Sequence, residues 1–163
     1  MHIHIEWQQP IQLTRHRKAL VSEDDLPDKI KGKPGVYFFS RRFGSKFEPF
    51  YIGETLNIRS RLKDHLKSKK IAFVLLDIDP RTEIKGGVRY FHYGYIRTKP
   101  GQDAKTCIKI VQRYLLREAI SREIKLINKN LTTVQTHSLT LAGSKKARAI
   151  YSKTGNIEVN KKG

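Results

Sequence analysis

Two short aromatic segments separated by a turn-forming loop constrain the fold of this chain more than any other feature. Residues 36–39 and 50–52 are all aromatic or β-branched, and the loop between them contains glycine, serine and proline. This composition is typical of two strands joined by a turn, so the segments predict a β-hairpin. Because successive side chains of a strand point to opposite faces, Tyr37 and Tyr51 can project from the same side of that hairpin.

The segments after the hairpin predict helices and one more strand. Apolar residues recur at four-residue spacing across residues 56–68, behind the helix-capping Thr55, which predicts a helix. The apolar run at residues 71–78 fits either an extension of that helix or a strand. Residues 88–97 predict a strand, and the spacing over 103–130 predicts one long helix or two consecutive ones. We therefore expect a small α/β fold, with a mainly antiparallel central sheet of about three strands flanked by helices.

Length and composition indicate one domain with extensions. A chain of 163 residues can build one core, and we expect an N-terminal arm at 1–32, a folded domain at 33–135 and a basic C-terminal tail at 136–163. The longest uncharged apolar run, residues 71–76, is far shorter than the roughly 18 to 20 residues that cross a bilayer. The single cysteine excludes an internal disulfide framework. These features predict an intracellular, cytoplasmic protein.

The formal net charge of +18 indicates the class of partner. Residues 1–30 have a net charge of −1, so the whole excess lies after residue 30. Self-repulsion of this size is usually tolerated where a polyanion neutralises it, which favours nucleic acid, and DNA first. A merely solvated surface is the alternative. An anionic membrane is disfavoured because the basic residues are spread along the chain instead of lying on one amphipathic helix.

Two tripeptides and two basic residues follow one another at defined spacing. Gly35-Val36-Tyr37 precedes Tyr51-Ile52-Gly53, and the next predicted helix carries Arg61, ten residues after the second tyrosine, and His65 one turn later. This arrangement resembles the GIY-YIG nuclease family over roughly residues 33–135. The resemblance implies that the tripeptides lie on adjacent strands and that the chain is a divalent-metal-dependent endonuclease hydrolysing DNA phosphodiester bonds.

Glu123 is the candidate metal ligand. At helical spacing its neighbours are all apolar: Ala119, Ile120, Leu126 and Ile127. The carboxylate would then project from the buried side of a helix, where an unpaired charge is costly and needs a cation. A buried ion pair with arginine or lysine satisfies this need as well as a metal does. The resemblance implies the metal, Mg²⁺ with Mn²⁺ as the alternative, because a glutamate on a late helix holds one divalent ion in that family.

The resemblance also implies the roles of the other site residues. Hydrolysis of a phosphodiester needs a nucleophilic water and neutralisation of charge in the transition state. Arg61 would bind the scissile phosphate, His65 would reach the same phosphate, and Tyr51 would be the general base with Tyr37 hydrogen-bonding beside it. A phenol ionises near pH 10, so it needs a nearby cation or tyrosine to act as a base. Without the resemblance, both tyrosines fit a core and Arg61 fits a solvated helix face.

Two departures from the family pattern keep a second hypothesis open. Glu54 follows Gly53 where the repair-nuclease branch has a lysine, and Gln135 stands where an asparagine is usual. The tyrosines are also 14 residues apart, which enlarges the hairpin loop. The alternative is a basic nucleic-acid-binding module with a degenerate, inactive nuclease site.

Basic residues in three segments are candidates for contacting DNA. They are Arg41, Arg42 and Lys46 in the hairpin loop, Arg59 and Lys63 on the first helix, and Lys145, Lys146 and Arg148 in the tail. The strand at 88–97 contributes a second type of candidate. Its aromatic residues Tyr90, Phe91, Tyr93 and Tyr95 either stack on bases or belong to the core.

Overall fold

A computed structural model describes residues 2–14 and 19–128, and beyond them only the backbone of residues 134–140 and 154–160. The chain divides into two units, residues 1–128 and 129–163. The first unit contains five strands and three helices among its described residues. They are β1 (His4–Trp7), β2 (Ile11–Gln12), β3 (Gly35–Phe43), β4 (Lys46–Thr55), α1 (Ile58–Lys67), α2 (Lys69–Leu75), β5 (Val88–Arg97) and α3 (Ala104–Ser121).

The sheet of the first unit is antiparallel, with β3 at its centre. Strand order is β1-β5-β3-β4, and β2 also pairs with β5. The α/β expectation of an antiparallel sheet flanked by helices is confirmed, but the sheet has five strands instead of about three. Two of them lie between residues 4 and 12, so this part of the expected N-terminal arm joins the sheet. Their pairing covers the edge of β5, which would otherwise present unpaired backbone groups.

The helices begin and end at residues that differ from the expected bounds. Asn57, not Thr55, caps α1, since its side chain accepts a hydrogen bond from the Ser60 amide at 2.9 Å. The sequence left either a helix or a strand possible at residues 71–78. The first part of this segment is helical, because α2 runs to Leu75. The expected helix over 103–130 ends early, at Ser121.

The helix α3 ends early because the chain turns away from it and pairs with β4. Glu123 has φ of 54°, a left-handed conformation that cannot continue a helix. The following residues lie along the outer edge of β4, where the Ile127 amide donates to the Phe50 carbonyl at 2.8 Å. The side chain of Asn128 bonds to both backbone groups of Ile52, most closely to its carbonyl at 2.7 Å. Edge pairing has thus replaced the last helical turns that the apolar periodicity predicted.

The helices cover the two faces of the sheet unequally. The α1 face carries the larger core, in which Phe39, Phe91 and Tyr93 pack against α1 and α2. The α3 face carries a smaller cluster around Ile52 and Leu116. No helix among the described residues is long and apolar enough to span a bilayer.

The second unit contains a two-stranded antiparallel ladder, β6 (Val134–Thr140) paired with β7 (Thr154–Asn160). Residues 136–140 and 154–160 of the segment expected to be a tail therefore form paired strands. The backbone of Gln135 pairs with Val159 in this ladder. The tail candidates Lys145, Lys146 and Arg148 lie outside the described residues.

Candidate active site

The two motif tyrosines lie together on the α1 face. Tyr37 on β3 pairs with Gly53 on β4, and Phe39 pairs with Tyr51, so the tyrosines are diagonal neighbours across the two strands. Their ring centroids are 6.2 Å apart and their planes differ by 18°. The expectation that both project from one side of the hairpin is confirmed.

Gly53 allows this arrangement because the ring of Tyr37 leans over it. A Cβ at position 53 would lie 2.3 Å from Cζ and 2.4 Å from Oη of Tyr37, far inside van der Waals contact. Any larger residue would push the phenol away from its partners. The glycine of the second tripeptide is therefore required by the position of the tyrosine of the first.

His65 joins the tyrosines from α1. Ile58, Leu62 and His65 follow one another on the buried side of this helix, which turns the imidazole towards the sheet. Its Nε2 lies 2.7 Å from Oη of Tyr37, and its ring centroid is 5.3 Å from that of Tyr51. Burial first, and then the charge of Arg61, lower the pKa of His65 to about 4. The imidazole is therefore neutral at pH 7.

Tyr37 is the buried member of the tyrosine pair, with only 2% of its surface exposed. Burial, and next the neighbouring Tyr51, raise the pKa of Tyr37 far above its ordinary value, whereas the charge of Arg61 acts in the opposite direction. Its phenol stays protonated at neutral pH and shares a hydrogen bond with His65. Tyr51 is only half-buried, so it is the tyrosine of the pair that a substrate can reach more readily.

Arg61 lies at the solvent side of this cluster. It is exposed, and its guanidinium makes no hydrogen bond or ion pair with the residues that the structure describes. Its charge nevertheless acts on both Tyr37 and His65. A cation that is close to the cluster and not committed to a carboxylate can bind an incoming phosphate. We use the name tyrosine cluster for Tyr37, Tyr51, Arg61 and His65.

Two carboxylates that were not candidate site residues in the sequence also act on the cluster. Glu54 raises the pKa of Tyr37 as the smallest of several contributions, and Asp64 opposes the lowering of the His65 pKa. Glu54 follows the second tripeptide directly, and Asp64 precedes His65. Adjacency to motif residues is the one signal in the sequence that could have drawn attention to them.

Glu123 is not on the buried face of a helix, so that expectation is wrong. It is exposed and follows the end of α3. It lines a groove of about 380 Å³ together with Arg41, Glu48 and Phe50. Its carboxylate makes no hydrogen bond or ion pair with described residues, and none of their contacts joins it to the tyrosine cluster. The described part of the chain contains no group of three or more histidine, cysteine, aspartate or glutamate side chains that could hold a metal.

Among the DNA-contact candidates, the hairpin arginines have partners within the protein. Arg41 donates to Glu48 at 2.9 Å and to the Lys85 carbonyl at 2.6 Å, while Lys46 lies 3.4 Å from the same Glu48. Arg42 donates to the Gly44 carbonyl at 2.7 Å. These three residues lie in β3 and β4, which extend to Phe43 and from Lys46, so the expected enlarged hairpin loop is wrong, and each arginine already donates to a group within the protein.

The two helix candidates differ in environment. Arg59 donates to the carbonyls of Pro27 and Ile30 at 3.0 and 3.2 Å and lies 3.6 Å from Asp28. These contacts connect α1 to the preceding loop, so Arg59 stabilises the fold as well as adding positive charge to the surface. Lys63 has no such partner among the described residues, so its ammonium group is available to bind a phosphate.

No family model, curated protein or solved structure matches this chain.

Proposed function

We propose that this protein is a divalent-metal-dependent endonuclease of the GIY-YIG type that hydrolyses DNA phosphodiester bonds at the tyrosine cluster. The observation that carries the proposal is the convergence of Tyr37, Tyr51 and His65 on one face, with the uncommitted guanidinium of Arg61 beside them. Residues from two strands and a helix, at most 28 positions apart in the chain, meet at one point. The net charge of +18 supports DNA as the substrate.

Each member of the tyrosine cluster has a role in this proposal that follows from its surroundings. Arg61 binds the scissile phosphate and neutralises charge as the transition state forms, because a planar guanidinium can bind two phosphate oxygens at once. Tyr51, the more accessible of the two tyrosines, acts as the base in its phenolate form and takes a proton from the attacking water. Tyr37 and the neutral His65 hold each other in place through their 2.7 Å hydrogen bond and so fix the ring against which Tyr51 packs.

The proposal includes one Mg²⁺ ion, with Mn²⁺ as the alternative, that would neutralise phosphate charge when bound. Mg²⁺ is commonly held by one or two carboxylates together with phosphate oxygens and water, so a single protein ligand suffices. Glu123 is our candidate ligand. The segment that follows it is anchored to the strand of Tyr51, through the backbone bond of Ile127 to Phe50 and the side chain of Asn128. Glu54, whose charge acts on Tyr37, is the rival ligand.

The direct test is incubation of the protein with supercoiled, linear, branched and single-stranded DNA in Mg²⁺ or in EDTA. We expect cleavage of at least one substrate that stops when EDTA removes the metal. A protein that binds DNA tightly and cleaves none of these substrates in Mg²⁺ or Mn²⁺ would contradict the proposal.

The metal ligand is tested by two matched substitutions. We expect Glu123→Gln to lower the single-turnover rate about a hundredfold or more at saturating Mg²⁺, because it removes the charge that holds the ion. Glu54→Gln should change the rate less than about tenfold. DNA binding should survive in both variants, since the basic surface supplies most of the affinity. The reverse order would transfer the ligand role to Glu54.

A second candidate function is a nucleic-acid-binding module with an inactive nuclease site. The exposed position of Glu123 beyond the end of α3, without a described contact to the tyrosine cluster, favours it. This candidate predicts the same salt-dependent DNA binding. It differs in predicting that the wild type does not cleave DNA, so Arg61→Ala and Glu123→Gln cannot lower a cleavage rate.

A further inference from the structure

A row of aromatic rings crosses the α3 face of the sheet and is only partly covered. The rings belong to Trp7, Phe38, His92, Phe47 and Tyr90, and we call them the aromatic row. In that order, neighbouring ring centroids are 5.6, 4.3, 5.0 and 5.1 Å apart. The rings come from four strands, β1, β3, β4 and β5. Trp7 is 46% exposed and Phe47 is 38% exposed, and the other three are partly exposed.

Strand β5 divides its aromatic residues between the two faces. Phe91, Tyr93 and Tyr95 are buried in the core of the α1 face. Tyr90, at the alternate position, contacts the ring of Phe47 on the other side of the sheet. Three of the four strand aromatics are therefore core residues, and the remaining one belongs to a surface.

Trp7 lies over Gly94, its partner in the β1–β5 pairing. A Cβ at position 94 would lie 3.1 Å from Cε3 of the indole, which means that the indole packs against the backbone there. Because the side chain is nevertheless nearly half exposed, a large part of the indole remains accessible for stacking.

The middle of the aromatic row is rigid and uncharged. Phe38 and His92 are cross-strand partners whose ring planes differ by only 9°. Oγ of Ser40 lies 2.9 Å from Nε2 of His92 and fixes the imidazole. Burial lowers the pKa of His92 to about 4, so the ring is neutral at pH 7. A fixed row of neutral rings can receive flat apolar groups without reorganising.

Positive charge adjoins the aromatic row. The guanidinium of Arg42 lies over the ring of Phe47, 5.3 Å from its centroid, and makes no ion pair with described residues. Next to Phe38, a groove of about 270 Å³ is lined by the exposed Tyr114 and by Arg122, which pairs with Glu118. Aromatic rings beside a guanidinium that has no carboxylate partner among the described residues suit a strand that has bases on one side and phosphates on the other.

We propose that the aromatic row binds unpaired bases of a nucleic-acid strand, with Arg42 against the backbone phosphates. Every base has a π face, so the surface selects single-stranded character and not sequence. This surface lies on the side of the sheet opposite the tyrosine cluster, and it needs no metal. Binding can therefore be measured in EDTA, whether or not the protein cleaves DNA.

The chain has one tryptophan, Trp7, which makes its fluorescence a direct probe of this surface. Single strands of about twelve deoxythymidines or uridines, a length within the range of known stacking sites, should quench the emission saturably in EDTA. A duplex of the same length should quench it less, because its bases are already stacked. Comparison of the affinities for the two single strands shows whether DNA or RNA binds more tightly. Unchanged emission with both would overturn the proposal.

A matched pair of variants locates the effect. Phe47 and Phe43 are both exposed hairpin aromatics with an arginine over the ring, Arg42 and Arg41 respectively, but Phe43 is not in the aromatic row. Phe47→Leu should weaken single-strand binding about fivefold or more, and Phe43→Leu less than about twofold. Circular dichroism is the control that shows whether both variants are folded.

Three further outcomes keep this inference separate from the proposed nuclease. Arg61→Ala should leave the quenching by single strands within about twofold, since Arg61 lies on the other face. Equal losses in Phe47→Leu and Phe43→Leu would overturn the stacking role. So would sedimentation showing that the row instead joins two copies of the chain and that Phe47→Leu separates them.

Discussion

Two histidines on opposite faces of the sheet share several properties and differ in what surrounds them. His65 lies 2.7 Å from the hydroxyl of Tyr37, and His92 lies 2.9 Å from the hydroxyl of Ser40. Burial is the main reason that both have a pKa of about 4. The charge of Arg61 also acts on His65, whereas burial alone accounts for the lowered pKa of His92.

The difference shows that a buried histidine with a lowered pKa does not by itself indicate an active site. His65 lies between two phenols and beside an exposed guanidinium, which together can bind a phosphate and move a proton. His92 stacks on Phe38 in a row of rings that offers only a flat apolar surface. Neighbouring charges and hydroxyl groups, not the histidine, distinguish a candidate catalytic face from a candidate binding face.

Substitution of tyrosines should show the largest difference between the two faces in its effect on the cleavage rate. We expect Tyr51→Phe to lower the single-turnover cleavage rate about a hundredfold or more, the usual size of a general-base contribution. Tyr37→Phe should lower this rate less, because it removes a positioning hydrogen bond and not the base. Tyr90→Phe, on the α3 face, is the control and should cleave normally. A larger loss in Tyr37→Phe than in Tyr51→Phe would reverse the two roles.

Stability should depend on pH because of both histidines. Their pKa values in the folded protein lie near 4, below the value near 6.5 of an unfolded chain. The unfolded chain therefore binds more protons between these values, and stability is lost as the pH falls from about 6.5 towards 4. We expect the Tm to fall by about 5 °C or more across this window.

Substitution separates the two contributions to this pH dependence. His65→Gln and His92→Gln should each make the fall of Tm with pH shallower, because each removes one group that the folded state keeps neutral. His4→Gln, at an exposed position, should leave the slope unchanged. Thermal unfolding followed by circular dichroism at several pH values measures all three. Slopes equal to that of the wild type would mean that neither histidine is protonated on unfolding.

The sequence predicted the local pattern of the tyrosine face well. The alternation of residues around Tyr37 and Tyr51 placed both on one side, and the four-residue spacing of Ile58 and Leu62 predicted the helix that carries His65. These results depend only on the periods of strands and helices. The resemblance could therefore be drawn from residues whose relative positions are fixed locally.

The failures depend on contacts between distant segments. Pairing of β1 and β2 with β5 cannot be read from the N-terminal residues alone. The end of α3 is similar, since the apolar spacing around Glu123 fits a helix equally well, but Ile127 and Asn128 pair with β4 instead. Arg59 reads as a surface cation, yet it bonds to two carbonyls of a loop about 30 residues earlier in the chain. Tertiary pairing overrode the local pattern in each case.

The most direct test of the proposed active site compares two arginines that differ in their surroundings. Arg61 acts on the tyrosine cluster, whereas Arg113 is exposed on α3 and has no described partner. Each alanine variant loses one positive charge, so both should lose similar affinity for DNA. Single-turnover cleavage at saturating protein then reports the chemical step alone.

We predict that Arg61→Ala lowers this rate about a hundredfold to a thousandfold, while Arg113→Ala stays within about threefold of the wild type. Arg61→Lys should recover only part of the loss, because an ammonium group cannot reproduce the planar, two-point contact of a guanidinium with phosphate. Equal rates for Arg61→Ala and Arg113→Ala would contradict the account, because Arg61 would then be one surface cation among many.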